Sequence, residues 1–137
     1  MPSLTGILES ALYVEDLGRS KQFYRTLFDL ELLAEDDRLC ALSVAGRQVL
    51  LLFRRGGSLE PAVLPGGTIP AHDGLGQLHL AFSIATSEWD GWISRLDAQQ
   101  VSIESTVSWP RGGRSLYFRD PDNHLIELAT PGVWSIY

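Results

Sequence analysis

Three side chains of this sequence could act together on a metal ion or a proton: Glu9, His79 and Glu127. Each stands in a short stretch that alternates with the two-residue period of a strand. In Gly76-Gln-Leu-His79-Leu-Ala-Phe-Ser-Ile84, Gln77, His79, Ala81 and Ser83 fall on one face and Leu78, Leu80, Phe82 and Ile84 on the other. In the stretch 8–14, Leu8, Leu12 and Val14 oppose Glu9, Ala11 and Tyr13, and in 124–129, Ile126 and Leu128 oppose Glu127. An apolar back and a small polar front is the pattern of a strand covered by a helix behind and open to a cavity in front. The expectation is that Glu9, His79 and Glu127 point into one such cavity.

One imidazole and two carboxylates make a donor set with a charge near −2, which a divalent ion neutralises while positions stay open for water or substrate. Without a metal, two facing carboxylates repel and one tends to take up a proton. The oxygen-rich set suits Mn²⁺, Mg²⁺ or Fe²⁺, and Zn²⁺ and Ni²⁺ are also compatible. Either glutamate could leave the metal and work as a general base, so Glu9 and Glu127 are the catalytic candidates.

The elements that must position these groups recur twice. Asp16 can accept from the free amides of a helix start, and Leu17, Phe23, Tyr24, Leu27 and Phe28 form one stripe. Strands follow over 30–35, 38–44 and 48–53, with Asp36-Asp37 as a solvated hairpin tip. After His79, Thr86 is the expected cap of a second amphipathic helix, whose stripe of Trp89, Trp92, Ile93 and Leu96 faces the core. Strands are then expected over 101–107, 114–118 and 124–129, with turns at 109–113 and 120–123. The order is β-α-β-β-β twice: module one over about 5–54, a linker over about 55–75, and module two over about 76–131. The linker holds Gly56, Gly57, Pro61, Pro65, Gly66, Gly67 and Pro70, a content that fits neither helix nor strand, so an unstructured loop bordering the cavity is expected. Glu9 and His79 each stand seven residues before their caps, and aligning the last strands pairs Glu127 with Leu51.

Composition narrows the function. With 137 residues, 45% hydrophobic and 20% charged, the chain can bury a core as one domain. A net charge of −6 opposes a phosphate backbone, and no basic stretch with aromatics is present, so nucleic acid is not an expected partner. No segment reads as a leader or a membrane span, and the single cysteine, Cys40, lies in an apolar run, so the sequence reads as cytoplasmic with Cys40 in the core.

The opening Leu12-Tyr-Val-Glu-Asp-Leu17-Gly-Arg-Ser20 with Phe23-Tyr24, and the closing Phe118-Arg-Asp120-Pro121-Asp122-Asn123-His124-Leu-Ile-Glu127-Leu128, resemble the vicinal oxygen chelate superfamily. That superfamily includes glyoxalase I, fosfomycin-resistance proteins, extradiol dioxygenases and bleomycin-binding proteins. The resemblance implies an α+β fold of two tandem βαβββ modules whose sheets curl around a shared cavity, commonly in a homodimer. It puts ligands at His79 and Glu127, and at Glu9, where many members carry His. Leu51 stands where glyoxalase I has a Glu. The implied function is metal-dependent lyase, isomerase or thiol-transfer chemistry on a small oxygenated substrate. A non-catalytic sequestering module of the bleomycin-binding kind and a dioxygenase-like member are the alternatives. The expected substrate contacts are Tyr13, Phe53, His72, Trp109, Arg114 and Tyr117. An arginine rim of Arg47, Arg54, Arg111 and Arg114 favours an anionic substrate, and His124 is expected to be structural.

Overall fold

A computed structural model describes residues 1–137, which divide into two compact units, Met1–Leu75 and Gly76–Tyr137. The first contains β1 (Glu9–Val14), α1 (Leu17–Phe28), β2 (Glu31–Glu35), β3 (Leu39–Val44), β4 (Gln48–Arg54), β5 (Ala62–Leu64) and β6 (Gly67–Ile69). The second contains β7 (His79–Ser83), α2 (Trp89–Ala98), β8 (Ser105–Ser108), β9 (Arg114–Arg119) and β10 (Leu125–Ala129).

In the first unit the sheet order is β1-β4-β3-β2, with β1 parallel to β4 and the other pairs antiparallel. Leu12, Val14, Leu50 and Leu52, all at most 2% exposed, form its back face, and α1 packs there through Tyr24 and Leu27. Asp16 caps α1 by accepting from the Arg19 amide at 2.9 Å. The helix stops at Asp29, whose left-handed φ of 55° turns its amide back to the Arg25 carbonyl. Cys40 is fully buried, and burial pushes its thiol up.

The second unit repeats the topology as β7-β10-β9-β8, with β7 parallel to β10. Leu116, Phe118, Ile126 and Leu128 are its fully buried back. His124 is buried as expected of a structural residue: its Nδ1 accepts from the Leu78 amide at 2.9 Å and so ties β10 to the approach of β7.

Four expectations need correction. The segment between the modules is not structureless, because β5 and β6 pair as a hairpin around Pro65-Gly66, with Pro61 and Pro70 just outside it where no ladder donor is needed. Thr86 is not a side-chain cap. It begins a single 3₁₀ turn, Thr86–Glu88, and α2 starts after Glu88 with no capping hydrogen bond from its side chain. The strand expected over 101–107 begins only at Ser105, because the Val101 amide is drawn back to the Leu96 carbonyl at the helix end. Leu8 precedes β1 and is 68% exposed rather than part of the apolar back.

Candidate metal centre

In the second unit, alternation along β7, β9 and β10 brings His79, Tyr117, Ser115 and Glu127 to one face. Glu127 is 7% exposed, so its carboxylate needs partners there. Ser115 Oγ donates to Glu127 Oε2 at 2.6 Å and itself accepts from Trp109 Nε1 at 2.9 Å. The chain Trp109–Ser115–Glu127 turns the other oxygen, Oε1, toward His79, whose Nε2 lies 3.4 Å away. His79 Nδ1 stands 2.8 Å from the Leu125 carbonyl, an acceptor only, so Nδ1 carries a proton and Nε2 is the ring nitrogen turned to the cavity. Burial, with the Glu127 charge as second cause, pushes the Tyr117 phenol above its ordinary value, so it stays protonated and can donate at neutral pH.

This pair fits a divalent ion. Two ligand atoms each about 2.1 Å from a tetrahedrally bound ion stand about 3.4 Å apart. Both side chains also have the outer hydrogen bonds, imidazole to carbonyl and hydroxyl to carboxylate, of the kind that fix metal-binding side chains. The pair opens on a cavity of about 450 Å³ lined also by Phe82, Trp109, Tyr117, Trp134 and Ile136.

The first unit has a cavity of about 510 Å³ that includes Glu9, Tyr13, Phe53 and His72. Tyr13 stacks on Phe53 with centroids 5.7 Å apart, Phe53 meets the His72 ring edge-on at 4.5 Å, and Tyr13 Oη lies 2.7 Å from His72 Nδ1. Gly74 is required beside them, since a Cβ there would come within 2.3 Å of the Tyr13 ring. Neither unit by itself groups three His, Cys, Asp or Glu side chains as a metal site.

Of the expected substrate contacts, Tyr13, Phe53 and His72 thus line the first cavity, and Trp109 and Tyr117 the second. Arg114 lines neither: it alternates to the back face, and its guanidinium lies 4.2 Å over the Trp89 ring. Arg54 Nε donates to the Asp37 carbonyl, and Arg38 borders the first cavity. The rim of Arg47, Arg54, Arg111 and Arg114 is therefore not assembled around either cavity. Sequence reasoning missed Ser115 and the segment 132–137. Ser115 was findable, because it lies two residues before Tyr117 and so shares its face. Val133-Trp-Ser-Ile-Tyr137 has no strand or helix period to place it.

Comparison with known proteins shows the family and the fold. The sequence profile of the Glyoxalase/Bleomycin resistance protein/Dioxygenase superfamily matches residues 6–128. The chain is 30% identical over 133 residues to the fosfomycin resistance protein FosX of Listeria innocua, covering 91% of this chain and 89% of the relative. It is also 30% identical over 118 residues to the metallothiol transferase FosB of Staphylococcus saprophyticus, covering 85% of this chain and 71% of that protein. Among solved structures, a lactoylglutathione lyase from Agrobacterium tumefaciens superposes with a TM-score of 0.88 at 33% identity, covering 98% of this chain and 99% of its own.

Proposed function

Because the chain belongs to the Glyoxalase/Bleomycin resistance protein/Dioxygenase superfamily, we propose that it is a metal-dependent enzyme that acts on a small oxygenated molecule, by thiol transfer in the first instance. The observation that carries the proposal is the oriented His79–Glu127 pair, with its Nε2–Oε1 separation of 3.4 Å and the Ser115 hydroxyl behind it. His79 and Glu127 hold a divalent ion and Glu9 is the third ligand, in a homodimer that remains cytoplasmic; no helix is long and apolar enough to cross a membrane. Exposed Leu4, Ile7 and Leu8 give such a dimer apolar surface to cover. A thiol-transfer relative, the metallothiol transferase FosB, supports the reaction class.

When bound, the metal supplies Lewis-acid polarisation of a substrate oxygen. The chain's own residues do the rest. Ser115 keeps Glu127 in one orientation, and the Leu125 carbonyl keeps His79 in one tautomer, so the site is set before substrate arrives. Tyr117, protonated and on the same cavity wall, donates to the oxygen that gains charge as sulfur bonds to carbon and the carbon–oxygen bond breaks. The thiol proton ends on that oxygen.

The test is consumption of a small thiol by Mn²⁺-loaded protein in the presence of fosfomycin. The parent is expected to consume thiol in a metal-dependent way, and His79→Ala to lose that activity by at least about a hundredfold. Stoichiometric binding with no turnover would instead favour a sequestering protein.

A further inference from the structure

The segment 132–137 forms a wall of the second cavity. Its backbone closes on itself, with the Gly132 amide bonded to the Tyr137 carbonyl at 2.8 Å and the Tyr137 amide to the Trp134 carbonyl at 3.1 Å. It is then pinned to the sheet: Tyr137 Oη donates to the Ala129 carbonyl at 2.7 Å and lies 3.2 Å from the Ile84 carbonyl. At its other end the Gly113 amide donates to the Gly132 carbonyl at 3.2 Å. The two backbones come so close that a Cβ on Gly132, where φ is +104°, would stand 2.4 Å from the Gly113 nitrogen. A strap held at both ends is a preorganised surface rather than a loose tail.

What the strap presents is apolar. Trp134 is 70% and Ile136 95% exposed, and both line the cavity, while His79 and Glu127 line it with polar groups. Two large apolar side chains left in water beside a polar pair form a two-part surface. About 450 Å³ is room for a small molecule and too little for a folded partner.

We infer that the cavity selects ligands that join an oxygen-rich head to an apolar group of aromatic size, with the head at His79 and Glu127 and the group against Trp134 and Ile136. The inference rests on the proposed role of His79 and Glu127 for its head site, and on the strap alone for the apolar part. Trp134 and Ile136 are then specificity-determining residues of this chain, and ligands that have only the oxygenated head are bound poorly.

Calorimetric titration of the full chain, first with Mn²⁺ alone and then with phenylglyoxylate or pyruvate, separates the two readings. These probes share a vicinal-oxygen head and differ in the apolar group. In the parent, phenylglyoxylate is expected to bind at least about fivefold more tightly than pyruvate. In Trp134→Ala, whose exposed side chain does not support the core, that ratio falls below half its parental value while pyruvate affinity is unchanged; Ile136→Ala acts in the same direction. A parental ratio under fivefold, no binding of phenylglyoxylate, or a ratio kept in both variants overturns the inference. Failure of the metal reading looks different: no Mn²⁺ is taken up, and the ratio measured on metal-free protein still reports on the strap.

Discussion

The two modules share one scaffold and differ in what they place on it. By strand register, Glu9 of β1 corresponds to His79 of β7, and Leu51, opposite Ala11, corresponds to Glu127, opposite Ala81. On the next strand Ala41 takes the place of Tyr117 and Leu39 the place of Ser115. The second module therefore has a buried carboxylate, the hydroxyl that orients it and a phenol beside it, where the first has three apolar side chains. The difference teaches that a buried carboxylate and its support come or go together. Glu127 at 7% exposure costs free energy unless Ser115 donates to it, and a serine at position 39 would have no carboxylate at position 51 to donate to.

If the scaffolds are equivalent, truncating matched core residues must hurt equally. Leu52→Ala and Leu128→Ala, both fully buried on the back faces, are each expected to lower stability by about 2–5 kcal/mol in urea unfolding. A loss below about 1 kcal/mol in one of them would break the equivalence. A smaller effect sharpens the contrast between the fronts. Ser115→Ala is expected to weaken Mn²⁺ binding about 10–100-fold, whereas Leu39→Ser, at the matched position, leaves it unchanged. Rescue by Ser115→Thr would show that the hydroxyl, rather than the volume, is what matters.

The smallest expected effect concerns the turns before β3 and β9. Asp36 accepts from the amides of Arg38 at 2.7 Å and Leu39 at 3.0 Å, and the bond from Arg38 is the main reason its carboxyl titrates below the ordinary value of 3.8. A lowered folded-state pKa means stability that is present above the ordinary value and lost as pH falls through the lowered one. Asp36→Ala should thus cost about 0.5–1 kcal/mol at pH 7, with the difference from the parent shrinking as the medium is acidified below that value. The matching turn, 109–113, has no carboxylate and should show no such dependence.

Much of this was legible in the sequence, for identifiable reasons. Period-two alternation placed Glu9, His79 and Glu127 on front faces, and the register confirms the pairing of Leu51 with Glu127 that the turns suggested. Hairpin β5–β6 escaped notice because its two strands are three residues each, too short for a period, and Pro and Gly lie at its ends and turn. Arg114 was misread because a charged residue next to a loop looks like a rim residue, and only its parity with Leu116 and Phe118 puts it over Trp89. The strap at 132–137 is held by backbone carbonyls and a glycine–glycine approach, interactions to which side-chain patterns are blind.

The central claim is that a divalent ion is held in the second module because Glu127 is there and Leu51 is not an equivalent of it. Equilibrium dialysis of Mn²⁺ against protein purified without added metal or a polyhistidine tag tests this most directly. The parent should bind about one ion per chain, Glu127→Leu should bind at least about a hundredfold more weakly, and Leu51→Glu should gain no second ion without a hydroxyl at position 39. Uptake by Glu127→Leu at the parental affinity would contradict the account.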